Sequence, residues 1–598
     1  MEQEDLNKHF VLERLFIGFM EELSTNSTID SYRAKSASAR SVLKELYQVL
    51  ADWKDKKIKS PDTVMVIRDE LADFIETDEH LRYGKISKPF FQDLLKELKV
   101  EDGKKEDSKT INIVNIQQLQ YNLYYLLTIN KEYHIDIIKD IEKCIFSTYN
   151  DEQSFVLAQK ALNKYCSLLT SDLLNSGYSK TFIRTFIKTE FDKSNSSNFG
   201  PRWEKFKEVF SYENQIDYIV VFKLFVNIEK VLDADFGQMK ESIESLKEKY
   251  RLNENTKLSK FLDQHGLDNF IPIETKALDR FQAANNARKK LTIILDIIHL
   301  IYPHSAQSIN SQVLVINTYD HEDAHLLRPN PQVDNIQANS ETYSSLISKL
   351  TSIRENNCVL EEVSDKLYSC VKHLRLATEA DEMEQKFLNC WIGLENIFAN
   401  YNIDSSTFKR IKQHLVNAHL VSYIKRNIHN LHKTLTKSTI RKRLPLFDKD
   451  DITYLTDIQT YDAIIALESY YPLIAYRARY LKSVLFNGKR RVTYIEKHKQ
   501  NLERHIVRMY RIRNEIVHDA RSSYQLDTIY ANLRYYLTFI LSKCVEFFSD
   551  CQPKPIELHK ISIDDFFSYQ ESILKSLKKH EYGVATCVCV PHSVDLFI

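Results

Sequence analysis

A chain of 598 residues is long enough for roughly two to four domains, and 43% hydrophobic with 27% charged residues is an ordinary balance for a globular protein that buries several cores. The 82 basic and 82 acidic residues cancel, which excludes a global field pulling the chain toward nucleic acid and leaves any such contact to a local patch. With only 10 Gly and 12 Pro there are few helix breakers, so the expectation is a mainly α, multi-domain fold with long helices.

In chain order, Phe10 to Leu23 is apolar but interrupted by Glu13, Arg14, Glu21 and Glu22, which predicts an amphipathic helix rather than a signal peptide. No run of 18 apolar residues occurs, so no membrane segment is expected. The 3.6-residue period continues through Ala39, Val42, Leu43, Leu46, Tyr47 and Leu50, then from Ile113 to Thr128 and from Phe155 to Leu174, with Val100 to Lys109 reading as an exposed loop. The Ser/Asn cluster from Lys193 to Pro201 closes an N-terminal helical region over 1–200, assigned by position to sensing or regulation. Tyr218 to Val226 and Gln312 to Thr318 are β-branched and aromatic, with a helix from Ala277 to Leu300 between them, so a small α/β domain is expected over 205–335. Polar residues from Arg328 to Glu341 form a linker, after which 342–550 reads as a helical bundle and 551–598 as a tail. Val584 to Val590 in that tail is an edge strand or a docked segment. The nine cysteines, with no C-x-x-C, read as free thiols of a reducing cytoplasm.

Two patterns bear on chemistry. His321-Glu322-Asp323-Ala324-His325 satisfies H-E-x-x-H, which on a helix would place two zinc ligands and a general base on one turn. Charged Asp323 and the nearby Pro329 and Pro331 argue for a polar loop instead, so no metal and no cofactor are expected and a zinc hydrolase is the lesser alternative. The chain has no phosphate-cradling glycine loop. The second pattern is Arg513-Asn514-Glu515-Ile516-Val517-His518. An arginine four to six residues before a histidine is common, with about two or three chance pairs in a chain of this composition. Arg426/His432 and Arg491/His498 also satisfy it, so the setting must decide.

At 100° per residue, Ile506, Met509, Tyr510, Ile512, Ile516, Val517 and Ala520 share one helical face, with Arg508, Arg511 and Glu515 opposite. Arg513 projects from the middle of the apolar face, where a guanidinium requires a carboxylate, a phosphate or another subunit. Asn514 and His518, four apart, stack on one edge. Tyr510-x-x-Arg513-Asn514-x-Ile516-Val517-His518 resembles the signature helix of HEPN domains, in the branch of the ApeA HEPN-like domain. Phe387-Leu388-x-x-Trp391-Ile392-x-Leu394-Glu395-x-x-Phe398, preceded by Leu367 to Leu376, resembles that branch's upstream core helix.

The resemblance, over about 360–550, implies a metal-independent endoribonuclease, associated with toxin and antiphage systems, that acts as a homodimer or higher even oligomer. Arg513, Asn514 and His518 are then the catalytic residues and Glu395, Tyr510 and Arg511 support them. RNA would be the partner, met by the basic runs Lys489, Arg490, Arg491 and Arg441, Arg443, and a regulatory protein partner is a further expectation. Without catalysis, the same residues would be a buried Arg513–Glu395 ion pair and a core histidine, in a silent scaffold that binds RNA or a protein.

Overall fold

The computed structural model describes residues 3–25, 37–58, 60–102, 109–111, 113–191, 199–211, 215–226, 243–250, 261, 269–301, 307–320, 323–328, 340–380, 382–400, 406–519, 526–551, 560–579 and 583–589. Helices dominate these residues, as the scarcity of Gly and Pro requires, and one small antiparallel sheet of five strands accompanies a short hairpin. None of the described helices is long and apolar enough to cross a membrane. The chain divides into two units. One joins residues 1–19, 26–168 and 334–598, and the other joins 20–25 and 169–333.

The second unit holds the sheet. Ile216–Val226 is its central strand, flanked by Asn269–Ala277 and Val313–Asn317, with Ala324–Leu327 outside the latter and Gln307–Ile309 pairing with the end of the central strand. Alternate residues of Ile216–Val226 enter two cores: Tyr218, Val220, Phe222 and Leu224 meet the Arg280–Ile301 helix, while Ile219 and Val221 join Leu246, Tyr250 and Phe261. Burial on both faces explains why this strand reads as a continuous apolar run without alternation. The two expected strands and the intervening helix are present. The strand Asn269–Ala277 escaped the sequence reading, because Glu274, Thr275 and Lys276 dilute its apolar pattern.

In the first unit the longest element is the helix Gly488–Asp519, about 48 Å at 1.5 Å per residue. Asn487 Oδ1 accepts from the Arg490 amide at 3.0 Å and so serves a first-turn donor that no carbonyl reaches. This helix contacts Pro61–Thr77, Met383–Phe398 and Val416–Lys437. Met383–Phe398 packs tightly on Glu361–Glu379 and Leu526–Ser549 at Gly393, where a Cβ would stand 3.1 Å from Leu537 and 3.2 Å from His373. Thr407–Arg410, a π-turn at Ile411–Leu415 and Val416–Lys437 follow one another without a break.

Two segments differ from expectation. Within Val100 to Lys109, read as a loop, Val100–Asp102 pairs with Lys109–Ile111. In the tail, Ile563–Leu577 is a docked helix, with Phe567 stacked on Phe398 at 5.0 Å and Arg410 paired with Asp564. Val584–Val588 is a short helix rather than a strand, buried through Val584, Cys587 and Val588. Among the described residues no strand pairs with this segment, so it satisfies its backbone locally, whatever its β propensity.

Candidate functional site

The helix Gly488–Asp519 has two unlike faces. Ile506, Val507, Met509 and Ile512 are buried in the core, but burial fades toward the C-terminus: Ile516 is half-buried and Val517 is 47% exposed. Arg513 therefore lies in the middle of the apolar stripe where that stripe leaves the core, and is half-buried. His518 is exposed in the last turn, and Ala520 lies outside the described residues.

The opposite face is clamped. Arg508 is buried, with Nε 3.0 and 2.8 Å from the two Glu45 oxygens and Nη2 on Glu70. Arg511 pairs with Glu45 at 2.7 Å and with Glu515 at 3.1 Å, and Arg504 pairs with Asp73. Burial alone would raise the Glu45 carboxyl, but Arg508 and Arg511 overcome it and hold the group down at about 2. The Arg508 guanidinium is pushed up by the same two carboxylates against its own desolvation. Arg511, expected to support catalysis, is thus part of the attachment to Ala39–Lys54, the helix that carries Glu45.

A consequence for pH follows. A carboxyl whose folded pKa lies below its unfolded value contributes stability above the unfolded pKa, near 4.5, and loses it as pH falls through the folded one. For Glu45 that window runs from about pH 4.5 down to about 2. Acid titration followed by amide exchange should therefore release Ala39–Lys54 in this range, and Glu45→Gln should flatten that response. An identical acid profile in the variant would show that other carboxyls govern it.

Of the residues expected at the site, Arg513 and Asn514 are joined, Nη1 donating to the Asn514 Oδ1 at 3.1 Å. Among the described residues no carboxylate forms an ion pair with Arg513, so the expected structural alternative, a buried Arg513–Glu395 pair, is not what forms. Glu395 is half-buried and instead lines a cleft together with Tyr510. Tyr510 is fixed by aromatic packing, 4.1 Å from Phe408 in a stacked pair and 5.9 Å from Trp391.

The other arginine–histidine pairs are structural. His432 contacts the Tyr454 hydroxyl and the Lys449 carbonyl, each at 3.0 Å, while Arg426 reaches His419 at 3.0 Å. Arg491 is buried and donates to the Leu485 carbonyl at 3.0 Å, so it is withdrawn from the expected RNA-binding run, whereas Lys489 and Arg490 are exposed. Arg443 lies over the Tyr470 ring at 4.6 Å, and Arg441 donates to the Thr436 carbonyl at 3.0 Å. Arg490 and His518 are 28 residues apart on one helix, about 42 Å, so no single phosphate meets both.

His325 sits in the strand Ala324–Leu327, bonded to Asp323 at 2.6 Å and Arg280 at 2.8 Å; His321 and Glu322 lie outside the described residues. A strand sends neighbouring side chains to opposite faces, so the helical turn that H-E-x-x-H chemistry uses is absent at His325, and the polar-loop expectation is corrected there as well. Among the described residues no group of three or more His, Cys, Asp or Glu is arranged to hold a metal ion.

Sequence reasoning missed the clamp and the cleft. The signal for the clamp was present: Arg504, Arg508 and Arg511 crowd like charges on one face at spacings of four and three, which calls for an acidic surface opposite. Searches against protein-family models, curated proteins and solved structures return no match.

Proposed function

We propose that the chain is a metal-independent endoribonuclease of HEPN type, acting in toxin or antiphage defence, with Arg513, Asn514 and His518 as its catalytic residues. The observation that carries this reading is the contrast along one helix. Arg504, Arg508 and Arg511 are all neutralised by carboxylates, whereas Arg513, two residues beyond Arg511 and on the other side of the helix, is held by an amide and keeps its charge available to an incoming phosphate. RNA carries its own nucleophile, the 2′-OH. His518 moves the proton and Arg513 stabilises the charge gathering on the phosphorane oxygens, leaving 2′,3′-cyclic phosphate and 5′-OH ends.

One histidine cannot easily serve both the attacking and the departing oxygen of an in-line displacement. A second copy of the chain supplies the other group, and the half-buried Arg513 with exposed Val517 beside it suits a two-fold contact. The test is cleavage of RNA by the purified protein in excess EDTA, with mass analysis of the ends and of the assembly. Cyclic phosphate ends, undiminished cutting in EDTA and a species near twice 70.4 kDa are expected. Strict need of a divalent ion for chemistry, 3′-OH ends, or a fully active monomer would overturn the reading. Binding of RNA without cutting would favour the silent scaffold.

A further inference from the structure

The cleft shared by Glu395 and Tyr510 has a volume of about 700 Å³, within the roughly 300–1,000 Å³ usual for small-ligand sites. Its wall on the signature helix is Lys499, Glu503, Val507 and Tyr510, spaced four, four and three. Asn514 and His518 continue that stripe at steps of four, so the cleft runs along the helix toward the catalytic residues and ends one turn short of Asn514. The facing wall starts at Ser406, whose side chain caps the next helix at the Lys409 amide, and carries Lys409 and Lys412.

The charges in the cleft are unevenly committed. Glu503 pairs with Lys499 at 3.9 Å and Glu571 with Lys575 at 2.9 Å, and Asp62 lies in the first turn of its helix, where the dipole favours it. Lys409, Lys412 and the Glu395 carboxylate have no ion-pair partner among the described residues. Two cations on one wall and an acceptor-only group on another suit a ligand that carries both a phosphate and hydrogen-bond donors. A nucleotide has that shape. Among the bases, guanine offers two adjacent donors, N1–H and N2–H, to the two oxygens of a carboxylate. Adenine, cytosine and uracil place an acceptor beside the donor on that edge, and a carboxylate repels it. A Watson–Crick edge is free only outside a duplex.

We infer that this cleft is a base-reading subsite that holds one guanine of single-stranded RNA next to the cut, with Glu395 on its Watson–Crick edge and Lys409 and Lys412 on its phosphate. The inference rests on the nuclease reading for the RNA that enters it, but binding by the cleft can be measured without cleavage.

The experiment has two arms. In the first, single-stranded uracil oligoribonucleotides carrying one guanine, one inosine or neither are cut, and the ends are mapped. Cutting beside guanine should exceed cutting beside uracil about tenfold or more, inosine, which lacks the N2 amine, should fall between, and Glu395→Gln should bring the ratio near one. Lys409→Ala with Lys412→Ala should lower kcat/KM about tenfold at every base, because a phosphate contact carries no sequence information. No preference for guanine, or one that survives Glu395→Gln, overturns the inference even if the protein is a nuclease. In the second arm, titration calorimetry compares guanosine and uridine 5′-monophosphates on wild type and Glu395→Gln. Selective, Glu395-dependent binding of the guanosine nucleotide by a protein that cuts no RNA would defeat the nuclease reading and keep the cleft. Equal or absent binding of both nucleotides overturns the cleft.

Discussion

His518→Ala is expected to lower RNA cleavage by about a hundred- to ten-thousand-fold, the range for losing a positioned general acid or base, while the melting temperature stays within a degree or two. The second half of that expectation comes from placement. His518 is exposed in the last turn of its helix, so truncation removes no core contact. Arg513→Ala should fall as far, and Arg513→Lys should recover little, since lysine keeps the charge but loses the planar fork that grips two phosphate oxygens. Because Arg513 is half-buried and tied only to Asn514 among the described residues, its removal leaves no carboxylate stranded, and melting should again be unchanged. Cleavage within threefold of wild type in His518→Ala would end its assignment as the proton carrier.

Arg508→Ala is expected to do the reverse. Arg508 is buried between Glu45 and Glu70, and removing the cation leaves two desolvated carboxylates with only Arg511 nearby, which costs about 3–5 kcal/mol. Amide exchange should rise in Ala39–Lys54 and Pro61–Thr77 before it rises in the helices beyond residue 340, since these two carry the stranded carboxylates. Replacing all three together, Glu45→Gln, Glu70→Gln and Arg508→Met, should restore part of the loss, because the stranded carboxylates are gone while Arg511 keeps its pair with Glu515. An Arg508→Ala protein that melts and exchanges like wild type would mean that apolar packing alone attaches these helices. Cleavage should also fall in Arg508→Ala, but together with melting, which separates it from His518→Ala.

The mainly helical class was legible because it depends on quantities that sequence carries directly: few breakers, 3.6-residue apolar periods and turn-length polar gaps. The central strand Ile216–Val226 was legible for a related reason, a β-branched run buried on both faces. The helix Gly488–Asp519 and its stripe from Ile506 to Ile512 also followed from periodicity. Periodicity fixes a direction around the helix axis and nothing about what lies opposite. It could not show that the apolar face emerges from the core at Arg513, nor that Arg491 is buried while Arg490 is exposed.

What only the tertiary structure decided is which charges meet. Glu45 and Arg508 are 463 residues apart in the chain and 2.7 Å apart in space. A carboxylate selects its partner by distance and desolvation, and neither is a property of local sequence. The same holds for Glu395, which its place on the expected upstream core helix offered as a buried partner for Arg513 and which packing instead turns into a cleft with Lys409, Lys412 and Tyr510. The sequence determined the residue types and the helix that presents them. The fold determined that Arg504, Arg508 and Arg511 of that helix are consumed in holding it and that Arg513 is left with an amide for its neighbour.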